Sequence, residues 1–126
     1  MSTRTSLGRV RGLGVAKEGV AHWWAQRITA LALVPLSIWF VLSVVSLVGA
    51  DQTAVADWVA SPLSAVLLIL LTIAVFHHAQ LGLQVVIEDY VHHEGLKIAS
   101  LILIKLAAFA LATAMVFAVL LIALGV

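Results

Sequence analysis

The charged residues of this chain lie in clusters, and the long stretches between the clusters carry no charge. Asp, Glu, Lys and Arg are absent from residues 28–50, 58–87 and 106–126, which are runs of 23, 30 and 21 residues. A helix needs about 20 mainly apolar residues to cross the hydrocarbon core of a bilayer. The pattern therefore predicts three transmembrane helices, at roughly 28–48, 63–87 and 98–124.

Lipid offers no hydrogen-bond partners to the backbone, so a helix is the expected conformation of each span. The fold class that follows is an all-α integral membrane protein with three transmembrane helices. We expect a single membrane-anchor domain over residues 1–126, with residues 1–27 forming a tail before the first span. Pro62 suits the first turn of the second helix, where its missing N–H would have no intrahelical partner.

Composition agrees with a membrane protein and excludes several function classes. Hydrophobic residues make up 63% of the 126 residues and charged residues 10%, whereas soluble domains carry roughly 25% charged residues. A globule of this size cannot bury so much apolar surface, so a soluble enzyme is excluded. The chain has no cysteine and therefore ligates no iron–sulfur cluster by itself. Its net charge of +1 is too small for a nucleic-acid binder.

The basic residues predict the orientation of the chain in the membrane. In a three-span topology all seven lie on one side, in the tail, in the second loop or just inside the third span. They are Arg4, Arg9, Arg11, Lys17, Arg27, Lys97 and Lys105. The positive-inside rule then places the N-terminus in the cytoplasm and the C-terminus outside. The tail, which is free of acidic residues up to Lys17, also has the composition of a mitochondrial transit peptide; we prefer the cytoplasmic tail.

Two adjacent histidines, His77 and His78, lie deep in the second span. Ionisable residues inside a membrane usually mark a function, although they can also act as hydrogen-bonding glue between helices. His78 shares its helix face with the small residues Ala74 and Gly82, which would leave clearance for a flat macrocycle. We therefore interpret His78 as an axial ligand of haem iron. His77 shares a polar face with Gln80, Gln84 and Glu88, and we interpret it as structural.

A low-spin b-type haem takes two axial ligands, and this chain offers one at mid-span. The other histidines, His22, His92 and His93, lie outside the predicted spans. We therefore expect the second ligand to come from another polypeptide. Arg27, just before the first span, is either a headgroup anchor or a guanidinium that contacts haem propionates, with His22 assisting.

Titratable side chains crowd the end of the second span, from Glu88 to Glu94. Tyr90 follows Asp89 there, 12 residues after His78, which is about 18 Å along a helix. A phenol at the membrane surface, backed by a carboxylate, can donate a hydrogen bond to a quinone carbonyl. The alternative is a solvated loop with an interfacial tyrosine that only anchors the helix.

The stretch His78–Val91 resembles the signature of the hydrophobic membrane anchor subunits of bacterial succinate dehydrogenase, respiratory complex II. That signature is His-Ala, then Gly, then Gln, then Asp-Tyr-Val. The segment Gly19–Ala30 resembles the region in which the family begins its first helix. Chain length and the three-helix topology are similar as well.

The resemblance implies partners, cofactors and site residues. Such a subunit is not catalytic alone: with a second anchor subunit of the cytochrome b556 type it holds one haem b and docks an iron–sulfur subunit and a flavoprotein subunit. It lies in the bacterial inner membrane, or alternatively in the mitochondrial one. By matching positions, the haem residues would be His78, Arg27 and His22, and the ubiquinone residues Tyr90 and Asp89.

Three other functions remain as alternatives. The first is a purely structural anchor without haem, and the second is the equivalent subunit of a fumarate reductase, running the same chemistry in reverse. The third, a small proton-conducting or transport subunit, would require carboxylates within a span, and the three uncharged stretches contain none.

The topology is tested with alkaline phosphatase, which is active only outside the cytoplasm. A fusion after Val126 should be active, and a fusion in the second loop should be inactive, because the basic residues hold that loop inside. Enzyme activity is measured in intact cells. An inactive fusion after Val126 would contradict the predicted topology, and the second-loop fusion then distinguishes an inverted orientation from a different number of spans.

Overall fold

The computed structural model describes residues 5–7 and 16–126. Four helices follow one another in this part of the chain: α1 (Ala16–Ser46), α2 (Gln52–Ala60), α3 (Pro62–Tyr90) and α4 (Glu94–Ala123). Helices α1, α3 and α4 are long and apolar enough to cross a membrane. The prediction of an all-helical protein with three spans is confirmed, while the orientation of its termini stays a prediction.

The helices extend beyond the predicted spans, most of all at α1. This helix begins at Ala16, twelve residues before the predicted first span, so it includes much of the predicted tail. Charged residues mark where the hydrocarbon ends, but a helix continues into the interface until a residue breaks it. The other span edges differ from the prediction by one to four residues, because α3 covers Pro62–Tyr90 and α4 covers Glu94–Ala123. Pro62 occupies the start of α3 as predicted.

The predicted first loop contains a short helix, α2, that the charge pattern did not indicate. Asp51 is its N-cap and accepts a hydrogen bond at Oδ1 from the backbone N–H of Ala54, at 2.8 Å. Trp58 of α2 stacks on Trp39 of α1, with ring centroids 5.7 Å apart. The cap fixes the first turn of α2, and the stack joins α2 to α1.

Helix α3 is the central element of the bundle. Within the described residues it packs against α1 on one side and α4 on the other, whereas α1 and α4 do not meet. Helix α2 lies across α3 and α4. The buried residues are few, mostly small and mostly on α3: Ser64, Ala65, Thr72, Ala74 and Leu81, with Val119 on α4. Small side chains let neighbouring helices approach closely.

The described chain encloses no large side chain fully. Leu31 is 73% exposed and Phe109 75% exposed, although both lie in spans. The small residues Ala110, Ala114 and Ala118, spaced four apart on α4, are exposed as well. The surfaces that these residues present must therefore be covered by lipid or by other subunits.

The Asp51 cap is tested by Asp51→Ala, with Asp57→Ala as the matched control. Both substitutions remove one exposed carboxylate from the same segment, but only the Asp51 side chain caps α2. Loss of an N-cap typically costs about 1 kcal/mol. We therefore expect amide hydrogen exchange across α2 to accelerate about fivefold in Asp51→Ala and to change little in Asp57→Ala. Equal rates in the two variants would contradict the capping role.

Candidate functional site

His78 is hydrogen-bonded to the neighbouring helix. Its Nδ1 lies 3.0 Å from Oγ1 of Thr29, so the hydrogen bond joins α3 to α1. The other side-chain hydrogen bonds among residues 19–126 connect positions three or four apart along the chain. The contact between Thr29 and His78 is thus the side-chain hydrogen bond that joins two spans in this part of the chain.

The direction of this hydrogen bond follows from the other contacts of Thr29. A threonine hydroxyl has one hydrogen to donate, and Oγ1 of Thr29 lies 2.7 Å from the backbone oxygen of Ala25 and 3.1 Å from that of Gln26. Because the hydroxyl donates to the backbone, it accepts from the imidazole. The proton of a neutral His78 ring is therefore assigned to Nδ1, and Nε2 carries the lone pair.

The free nitrogen of His78 is not enclosed by the described chain. In this part of the protein, the buried side-chain nitrogen and oxygen atoms that lack a hydrogen-bond partner are Nε2 of His22 and Oε1 of Gln26. His78 is half-buried, and its Nε2 is not one of these atoms. Nε2 of His78 is accordingly not fully buried, and it makes no hydrogen bond within the described residues.

A polar seam, made of His22, Gln26 and Thr29, runs along the face of α1 that meets α3. These residues are spaced four and three apart, which puts them on one side of the helix. Opposite them lies Gly82, where an added Cβ would be 3.9 Å from Nε2 of Gln26. Ala74 is buried. The space beside Ala74 and Gly82, which we expected to admit a macrocycle, is thus partly occupied by α1. A ligand would therefore reach the His78 ring at Nε2.

Arg27 does not share the helix face of the seam. It is two residues from Thr29, and residues at that spacing point to different sides of a helix. The Arg27 guanidinium lies over the ring of Trp23, with its central carbon 5.3 Å from the ring centroid. The structure therefore brings His22 to the α1–α3 interface with His78 but leaves Arg27 on the outer surface of α1.

His77 faces a different environment from His78. It is exposed and lines an open groove of about 740 Å³ between α3 and α4, together with Gln80 and Lys105. Along this side of α3, Gln80 donates to Gln84 at 3.4 Å and Gln84 donates to Glu88 at 3.0 Å. The predicted polar stripe is present, but its hydrogen bonds run within α3 and not to another helix.

Asp89 and Tyr90 are the last two residues of α3. Both are exposed, Tyr90 at 77%. The chain then turns in three residues into α4, whose N-cap is His93: its Nδ1 accepts from the backbone N–H of Leu96 at 3.1 Å. This cap fixes the first turn of α4, which begins four residues after Tyr90.

The described residues hold no group of three or more histidine, cysteine or acidic side chains that would bind a metal ion. A haem does not need such a cluster, because the protein supplies only axial ligands.

The residue that sequence reasoning missed is Thr29. A threonine in an apolar span is the one available signal, since nothing in the sequence pairs it with a histidine 49 positions away.

Comparisons with known proteins agree with the resemblance carried by His78–Val91. The profile of the succinate dehydrogenase/fumarate reductase transmembrane subunit family matches residues 1–123. A succinate dehydrogenase hydrophobic membrane anchor subunit from Rickettsia bellii is 34% identical over 116 residues, 92% of this chain and 91% of that one. The subunit of the same name from Paracoccus denitrificans is 31% identical over 114 residues, 90% and 88% of the two chains.

A succinate dehydrogenase membrane anchor subunit from Reclinomonas americana is 28% identical over 95 residues, 73% of this chain and 79% of its own. No solved structure is significantly similar to the chain. Matches over nearly the full length, together with three spans, are sufficient to assign the family. The chain belongs to the succinate dehydrogenase/fumarate reductase transmembrane subunit family, and the relatives it matches are succinate dehydrogenase membrane anchor subunits.

Proposed function

We propose that the chain is the hydrophobic anchor subunit of a succinate:ubiquinone oxidoreductase in a bacterial inner membrane. In this proposal it docks the iron–sulfur and flavoprotein subunits at the cytoplasmic face. It shares one haem b with a second anchor subunit of the cytochrome b556 type and forms part of the ubiquinone site. Family membership supports the anchor role. The orientation of His78 is the observation that carries the haem site.

The His78 environment fits one axial ligand of a haem. An iron ligand needs an unprotonated ring nitrogen, and the Thr29 contact leaves that nitrogen at Nε2. A ligating histidine normally donates its other N–H to an acceptor, which here is the Thr29 hydroxyl. His77 makes no such contact among the described residues. When bound, a haem exchanges single electrons, and the second ligand would come from the partner subunit.

Arg27 and His22 are the proposed contacts for haem propionates. The cation–π contact of Arg27 with Trp23 is exposed, and such contacts are worth roughly 0.5–1 kcal/mol. A propionate that forms two hydrogen bonds with the guanidinium can offset that loss. His22 has a buried Nε2 without a partner on the α1–α3 interface, so a small side-chain movement toward an external acceptor would satisfy it.

Tyr90 and Asp89 are the proposed quinone contacts of this subunit. Reduction of a quinone to a quinol takes two electrons and two protons, and negative charge develops on its oxygens. A phenol that donates to a carbonyl oxygen stabilises this charge. Asp89 and the neighbouring titratable residues can deliver protons from water. The exposure of both side chains at a fixed helix end leaves them free for a site completed by the docked subunits.

Two alternatives keep a specific observation in their favour. A structural anchor without haem is compatible with the Thr29–His78 contact, because that bond by itself can act as interhelical glue. A fumarate reductase anchor is compatible with the family, whose name covers both enzymes. The spectrum of the purified complex distinguishes the first alternative, and the preferred direction of turnover the second.

The haem ligand is tested by comparing His78→Leu with His77→Leu. His78→Leu should abolish or strongly alter the b-type signal, because it removes the nitrogen at the open face. His77→Leu should largely keep it, since His77 faces the groove on the other side of α3. The measurement is a reduced-minus-oxidised optical spectrum of the purified complex. The reverse result would move the ligand to His77, and no b-type signal in the parent complex would favour the structural anchor.

The quinone contact is tested by Tyr90→Phe, which keeps the ring and removes the hydroxyl. Succinate oxidation with a soluble dye should survive, because it needs only the peripheral subunits, and it serves as the control. Quinone reduction should fall at least about tenfold, equivalent to about 1.4 kcal/mol of transition-state stabilisation. Unchanged quinone turnover would leave Tyr90 as a membrane anchor only.

A further inference from the structure

We propose that Thr29 is a positioning residue for His78: its hydroxyl holds the proton of the imidazole on Nδ1 and so keeps Nε2 as the ligating nitrogen. The inference rests on the proposed haem ligation by His78. It gives the ligand itself a partner on α1, 49 positions away in the sequence.

The geometry of Thr29 makes its hydroxyl an acceptor toward the ring. Its hydrogen is directed to the backbone oxygen of Ala25, 2.7 Å away on the preceding turn. That contact leaves the lone pairs of Oγ1 free on the side of His78. An N–H of the ring finds an acceptor at Thr29, whereas a bare ring nitrogen would find a donor only if the hydroxyl gave up its bond to Ala25. The hydroxyl therefore selects between the two neutral tautomers of His78.

Selection of the tautomer matters more in a span than in water. In bulk solvent either ring nitrogen finds a water molecule, but the hydrocarbon offers none. Without the hydroxyl, the Nδ1 proton of His78 would have no acceptor, and the tautomer with its proton on Nε2 would block coordination.

An acceptor on Nδ1–H also raises the basicity of the opposite nitrogen. A more basic ligand stabilises the ferric state, so loss of the hydroxyl should raise the reduction potential of a bound haem.

The chain contains a matched control for this role. Thr72 donates to the backbone oxygen of Leu68 at 2.8 Å, the same contact with the preceding turn that Thr29 makes with Ala25. Thr72 is buried on α3, but its hydroxyl has no histidine partner. Replacement of either threonine by valine removes a hydroxyl and a backbone contact at nearly constant volume. Only the replacement of Thr29 removes an acceptor from an imidazole.

The experiment compares Thr29→Val, Thr29→Ser and Thr72→Val in the purified complex. Two quantities are measured: the midpoint potential of the b-type haem by redox titration, and the rate of haem loss to an excess of apomyoglobin. We expect Thr29→Val to shift the potential upward and to release haem about 10–100-fold faster, the usual size of an effect on metal affinity from a residue that supports a ligand. Thr29→Ser should restore both values, and Thr72→Val should match the parent.

A Thr29→Val complex with the potential and haem-loss rate of Thr72→Val would overturn the positioning role. Failure of Thr29→Ser to restore the parent values would overturn it as well, because the serine hydroxyl can accept the same proton. If Thr29→Val does not assemble, Thr29→Ala makes the same comparison with a smaller side chain.

His78→Leu separates this inference from the proposal on which it rests. Loss of the b-type signal in His78→Leu, with no effect in Thr29→Val, would remove only the role of Thr29. A parent-like spectrum in His78→Leu would overturn the ligand assignment itself, and the role of Thr29 with it.

Discussion

The hydrogen bond between Thr29 and His78 joins the packed faces of α1 and α3 and marks how α3 is rotated about its own axis. Neighbouring residues on a helix point about 100° apart, so only one of the two adjacent histidines can face α1 at a time. With His78 turned to Thr29, His77 faces the groove beside α4 and Gly82 lies opposite Gln26. Interhelical hydrogen bonds in membranes average about 0.6 kcal/mol. The bond therefore contributes little to stability, and its importance is that it engages Nδ1 of His78.

The helices around that bond form an incomplete structure. Only small side chains and one leucine are buried on α3, and large apolar residues such as Leu31 and Phe109 remain exposed. Two polar atoms of the α1–α3 interface, Nε2 of His22 and Oε1 of Gln26, are enclosed without a partner. Such atoms typically cost about 1–3 kcal/mol each. Both features are expected of a subunit whose packing and polar contacts are completed by other chains.

The two proposed sites differ in how the fold exposes them. His78 lies at mid-span and half-buried, with one nitrogen engaged and one available, so its chemistry is limited to a ligand that approaches from one direction. Asp89 and Tyr90 lie at a helix end and are open, yet the His93 cap that starts α4 restricts the turn beside them. An exposed pair on a fixed turn suits a site that forms only when peripheral subunits dock. The distance along α3, about 18 Å, keeps the two sites apart.

The sequence by itself determined the all-helical class and the three spans, because uncharged runs are a property of the linear chain. A local motif is such a property too, and it indicated the family and the candidate residues His78, Tyr90 and Asp89. It could not determine where α1 begins. Charged residues mark the edge of the hydrocarbon, but the helix extends past that edge. Nor did it indicate α2, which depends on the Asp51 cap and on the stack of Trp58 with Trp39. Only the tertiary structure brought Thr29 to His78. That contact joins two helices, and the helix rotation that allows it is decided by how α1 packs on α3.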